Sequence, residues 1–223
     1  MIHVVIPAAG DGKRFAEAGY RDPKPLVDVL GRPMIQRVID NLKPALAGRE
    51  HRVTVLSRVP LPGIDADVQI IGPTRGAVET ILQADLDGQL LIANCDQLVT
   101  SDWLPPLARD GWLLTFPSVK PHHSYVRTDG SGIVKDIAEK QVISRLAIAG
   151  VYAFEDGAAF RGAAETVLRE DRRVLGEFYV STVIAELLAG GAEFGTVDCR
   201  CAILGTPEEL QLFEAAAEVA RTL

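Results

Sequence analysis

The chain reads as an α/β protein built on a mostly parallel sheet covered on both faces. Through the first two-thirds of the sequence, short runs rich in Val, Ile and Leu alternate with helix-length amphipathic stretches, the pattern of βαβ units. Between Ser124 and Phe154 the pattern changes to SYVRT, GIVKDIA and LAIAGVYAF around a DGSG turn, which predicts a small antiparallel ribbon. Helical patterns then return and close the chain.

Taken in order, HVVIPA is the first strand, PMIQRVIDNLKPAL a helix, and RVTVLS and VQII two further strands. GAVETILQADL reads as a helix, LLIANC and LLTFPS as strands, and residues 124–154 as the ribbon. Helices follow at 157–169 and 178–189, then the strand EFGTVDC. The last helix begins at Thr206, where TPEE places an N-cap threonine, a first-turn proline and acids at the positive end of the helix dipole.

A length of 223 residues accommodates one domain, expected to span 1–223, with a core large enough to need no staple. With 48% hydrophobic and 24% charged residues the composition is that of a soluble protein, and the longest apolar runs are too short for a bilayer. The first nine residues are strand-like, without the features of a signal peptide, so a cytoplasmic location is expected. Cys95, Cys199 and Cys201 lack zinc-site spacing and read as small buried residues. A net charge of -7 argues against a general nucleic-acid binder.

Against that acidic background, the stretch AAGDGKRFAEAGYRDPKPLV from Ala8 to Val27 gathers Lys13, Arg14, Arg21 and Lys24 behind the first strand. The carboxyl ends of parallel strands are where open α/β sheets take ligands. A dinucleotide fingerprint needs glycine where Phe15 stands, and the second strand ends without a ribose-binding acid. A Walker A loop needs glycine at Pro7 and a hydroxyl residue at Arg14. What remains is a loop whose amides are freed by Gly10 and Gly12, with an arginine fork and a lysine after Pro23. Arg14 suits bidentate phosphate contact and Lys24 supplies a point charge, a combination matched to a polyphosphate. A solvated basic turn is the competing reading.

AAGDGKRF followed by DPKPLV and LGRPMIQRVIDNL resembles the signature of the sugar-phosphate nucleotidyltransferases. That family joins a nucleoside triphosphate to a sugar 1-phosphate and releases pyrophosphate. LLIANCDQLV, IAEK, LGEFYVSTVIAELLAGG and LGTPEEL extend the likeness over nearly the whole chain. The resemblance implies a Rossmann-like three-layer sandwich of the nucleotide-diphospho-sugar transferase type. It also implies that Arg14 and Lys24 contact the triphosphate, with Ala8, Gly10 and Gly12 beside it, and that Thr74 and Gly76 serve nucleobase selection. It implies Mg²⁺ held by Asp96, and an acceptor bound by Glu139, Lys140, Asn94 and Glu177. Asn94 reads equally as a residue closing a turn, and Glu177 as a first-turn helix acid.

The sequence departs from the family pattern at the second metal ligand, where Ile203 occupies the expected acidic position. The nearest upstream acid, Asp198, is the alternative candidate, against a solvated strand-end acid. His122 and His123 read as a surface loop with no assigned role. Two rival functions remain. Asn94-Cys95-Asp96 superficially resembles the metal motif of glycosyltransferases, although the basic loop then has no pyrophosphate to clamp. A non-catalytic nucleotide- or sugar-phosphate-sensing module is the other. Base and acceptor stay open, with sugar 1-phosphate the default and choline phosphate an alternative.

Overall fold

The computed structural model describes residues 1–100 and 109–222. Its elements, in chain order, begin with β1 (Ile2–Ala8), the short helix α1 (Lys13–Glu17) and a 3-10 turn (Lys24–Leu26). A hairpin of β2 (Asp28–Val29) and β3 (Arg32–Pro33) leads into α2 (Met34–Leu46), β4 (His51–Ser57), β5 (Asp67–Ile70) and α3 (Ala77–Ile81). Next come β6 (Gln89–Ala93), β7 (Gln97–Thr100), β8 (Gly111–Pro117), β9 (Tyr125–Thr128), β10 (Val134–Ala138) and β11 (Leu146–Phe154). The chain ends with α4 (Gly157–Arg169), α5 (Val180–Ala189), β12 (Phe194–Asp198), β13 (Arg200–Ile203) and α6 (Pro207–Thr222).

The main sheet runs β5-β4-β1-β6-β11-β8-β12, with every pairing parallel except the two made by β11. The predicted mostly parallel α/β sheet is therefore present. Along β1, Val5 faces one side and Val4 and Ile6 the other, as the two-residue period of a strand requires. Val5, Ile92 and Phe154 pack with α3, α4 and α5, while Val4, Ile6 and Leu91 pack with α2, giving three layers. A third, smaller cluster joins Phe15, Val27, Val29, Met34, Leu204 and Leu210 beneath α6.

The sequence-based boundaries need three corrections. LAIAGVYAF belongs only partly to the ribbon: Leu146 and Ala147 pair with β9, whereas Val151 to Phe154 pair with β6 inside the main sheet. The helix expected over 76–86 is the single span Ala77–Ile81, and α5 starts at Val180 because Tyr179 is still extended. Two features carry no sequence signal strong enough to read. The β2–β3 hairpin is only two residues a side, and the β7–β13 ribbon pairs segments 100 residues apart, with Arg200 opposite Thr100. Among the described residues no helix is long and apolar enough to cross a membrane.

Candidate active site

The carboxyl ends of β1 and β6 lie side by side, since the two strands are parallel neighbours. The loop after β1 therefore faces the loop after β6. Gly12 adopts φ +62° and caps α1, a left-handed conformation that glycine takes without strain. A methyl group there would stand 3.0 Å from the Lys24 Cβ, so the bare glycine also lets the Lys24 stem pass. Phe15 is 1% exposed, meets Tyr20 edge-on at 5.1 Å and anchors the loop in the cluster beneath α6. The residue that excludes a dinucleotide fingerprint is thus the loop's hydrophobic foot.

Lys24 reaches across to Asp96: its Nζ lies 2.5 Å from Asp96 Oδ2, with side chains 17% and 19% exposed. Burial works against the Lys24 charge, but the Asp96 carboxylate outweighs it, and the amine is held above its usual range. Arg14 is exposed on α1, close enough for its charge to be felt at Lys24, Tyr179 and Glu208. Lys13 pairs with Asp11 at 3.7 Å at the surface, away from this centre.

The Glu139–Lys140 pair closes β10. Glu139 Oε2 accepts from Ser181 Oγ at 2.6 Å and from Ser124 Oγ, which leaves Oε1 without a hydrogen bond among the described residues. Lys140 sits at φ +54°, a strained conformation for a residue with a side chain. Its amine donates to the Tyr179 hydroxyl and lies 4.4 Å from the centre of that ring. Burial, then a hydrogen bond with Glu177, pushes the Tyr179 phenol upward. Tyr152, buried in β11, is close enough to feel the charges of both Glu139 and Asp96.

The remaining predicted residues fall as follows. Ala8 ends β1, buried, and Gly10 has open space around its Cα. Thr74 Oγ1 is 2.6 Å from Thr80 Oγ1, which itself donates to Gly76 O. Gly76, at φ +137°, packs against the chain itself, because a methyl there would stand 2.6 Å from the backbone N and O of Phe178. That contact carries Tyr179 toward Lys140. The Asn94 backbone N–H donates to Gly150 O at 2.8 Å, and the Asn94 side chain fills space that only a glycine at 150 leaves open.

The structure does not bring Asp198 to Asp96. Asp198 is exposed and 3.5 Å from Thr115 Oγ1. The β7–β13 ribbon separates the two, with Leu204 N donating to Asp96 O at one end and Asp198 preceding the other. The carboxylate that approaches Asp96 is Glu209, in the first turn of α6: a methyl on Gly205 would lie 3.3 Å from both Asp96 Oδ2 and Glu209 Oε2. From the sequence alone Glu209 reads only as a first-turn acid at the helix dipole, and Tyr179 and Gly150 carry no signal. His123 is buried against Phe116, with Nδ1 3.0 Å from Ser118 Oγ, rather than in a wet surface loop.

A basic loop at the carboxyl edge of a mostly parallel sheet, facing an acid after a neighbouring strand, defines an α/β protein of the nucleotidyltransferase type. Residues 4–122 match the model of the MobA-like NTP transferase domain, and the chain belongs to that family. It is 26% identical over 247 residues to a protein named bifunctional protein GlmU from Staphylococcus epidermidis, covering 96% of this chain and 51% of the relative. The chain thus spans about half the length of the curated relatives it matches. Among solved structures it resembles a nucleoside-diphosphate-sugar pyrophosphorylase from Vibrio cholerae, with TM-score 0.81, 22% identity, and 95% and 99% of the two chains covered. A UDP-glucose pyrophosphorylase complexed with UDP-glucose superposes with TM-score 0.73 at 14% identity, over 99% and 100%. These structural likenesses support the shared fold.

Proposed function

We propose that this chain is a Mg²⁺-dependent nucleotidyltransferase that joins a nucleoside triphosphate to a sugar 1-phosphate, or a similar small phosphorylated acceptor, and releases pyrophosphate. The observation that carries this reading is the meeting of Lys24 and Asp96, 72 residues apart, at the sheet's carboxyl edge. Lys140 has its amine held by a neutral phenol rather than a carboxylate, and so brings a further net positive charge. The donor set suits a hard cation: Asp96 already hosts an ammonium, and Glu209 supplies a second carboxylate within reach. Mg²⁺ bound there supplies charge neutralisation to the triphosphate oxygens.

The chain's own residues would divide the work by position. Arg14 and Lys24 bind the triphosphate and offset the charge that grows on departing pyrophosphate. Lys140 holds the acceptor phosphate, and Glu139 Oε1 accepts from an acceptor hydroxyl. An acceptor phosphate oxygen forms the new bond to the α-phosphorus as the bond to the β-phosphate oxygen breaks. No general base is required, because a phosphate is anionic at neutral pH.

The test is pyrophosphate release with Mg²⁺, each nucleoside triphosphate in turn and a panel of phosphorylated sugars and alcohols. One base and one acceptor class should give turnover that EDTA abolishes. Folded protein that is silent across the panel counts against the reading.

A further inference from the structure

Two side chains expected to serve different ligands are bound to one another. Lys24 Nζ sits 2.5 Å from Asp96 Oδ2, and both side chains are more than four-fifths buried. The pair is braced: the Lys24 stem is pressed against Gly12, its amine lies 5.7 Å from the Phe15 ring centre, and Asp96 O accepts from Leu204 N. Removing one partner from a buried ion pair strands the other charge without solvent, which is far more costly than losing an exposed pair. A divalent cation alone at Asp96 would strand the Lys24 ammonium next to another positive charge. A triphosphate alone at Lys24 would strand the Asp96 carboxylate beside a polyanion.

We propose that the Lys24–Asp96 ion pair is a latch that disfavours either ligand alone, so that cation and triphosphate enter as mutually dependent partners. Together they exchange one internal pair for two new ones, Asp96 with cation and Lys24 with phosphate, and no buried charge is left over. This coupling is carried by the protein and adds to the affinity of the cation for the triphosphate in water. By linkage it is reciprocal. It rests on the nucleotidyltransferase reading for the identity of the two ligands.

The test measures binding, not turnover. Mn²⁺ alone is titrated against wild-type protein, Lys24→Met and Arg14→Met. Methionine keeps the stem of Lys24 and removes its charge, and Arg14→Met removes a neighbouring positive charge that makes no contact with Asp96. The latch predicts at least about tenfold tighter Mn²⁺ binding in Lys24→Met and a change within about threefold in Arg14→Met. Equal gains in the two variants, or no gain in Lys24→Met, overturn it.

The reciprocal arm titrates tripolyphosphate in EDTA against Asp96→Asn and Glu209→Gln. Only Asp96→Asn should gain about tenfold or more. Should one variant fail to fold, the other arm decides. Wild-type protein that binds Mn²⁺ equally well with and without tripolyphosphate overturns the latch without any variant. Pyrophosphate release by the wild type, measured separately, distinguishes the two failures: turnover without a gain in Lys24→Met rejects the latch alone, and no turnover rejects the reading beneath it.

Discussion

Gly150 interrupts β11 at φ +65°, and a methyl there would stand 1.9 Å from Gln97 Oε1 and 2.5 Å from Asn94 Nδ2. Both the left-handed backbone and the steric overlap oppose a side chain, so Gly150→Ala should lower stability by about 2 to 4 kcal/mol, read as a fall in melting temperature. Tyr179 is a second such residue. Tyr179→Phe keeps the ring beneath the Lys140 amine and removes the hydroxyl that receives it. Its expected signature in steady-state kinetics is an acceptor KM raised about three- to tenfold with the nucleotide KM unchanged. A general loss of structure would move both constants. Lys24, Asp96, Glu139 and Lys140 were legible because each sits in a compact motif. Gly150, Tyr179 and Glu209 were not, since their partners lie on other elements and no spacing along the chain encodes them.

Helix α6 links the end of the chain to the beginning. Its start follows local rules: Glu209 N donates to Thr206 Oγ1 at 3.2 Å, as the TPEE signal implies. Thr206→Ala should therefore cost about 1 kcal/mol, measurable as a lower urea midpoint. The helix then buries Leu210 with Phe15 and Met34 and so holds the loop carrying Arg14 from beneath. The short α1 has no comparable signal of its own. Five residues are too few to form a stable helix alone, and α1 persists because Phe15 is buried. The helical pattern over 76–86 failed for the opposite reason. Packing against Phe178 sets the start of α3, and beyond Ile81 the carbonyls of Leu82 and Ala84 accept from the Arg161 guanidinium on α4, a tertiary contact that overrides the local preference.

At the scale of the whole molecule, two buried histidines set a pH dependence of stability. Burial, then the charges of His122 and Lys120, lowers the His123 pKa to about 4, and burial, then Arg52, lowers that of His3. Unfolding releases each histidine to an ordinary value of about 6.5, so the unfolded chain binds the extra protons first as pH falls. Stability is full above about pH 6.5 and declines as pH drops toward the folded values, with His123 alone responsible for about 3 kcal/mol by pH 4. Melting temperatures between pH 7 and 4 should follow that decline. His123→Phe, which keeps an aromatic ring against Phe116, should flatten much of it.

Taken alone, the order of apolar runs and helical stretches determined the α/β class, and the motifs after β1, β6 and β10 named most of the candidate site. Those features are local: a strand's period, a glycine in a tight loop and an acid at a strand end are each set by neighbours in sequence. Only the tertiary structure decided that Lys24 and Asp96 share an ion pair, that Gly76 yields space to Phe178, and that Glu209 rather than Asp198 stands near Asp96. These outcomes depend on strand order and on which loops the sheet brings to one edge. Coulombic and steric interactions act through space, over distances that sequence separation does not measure.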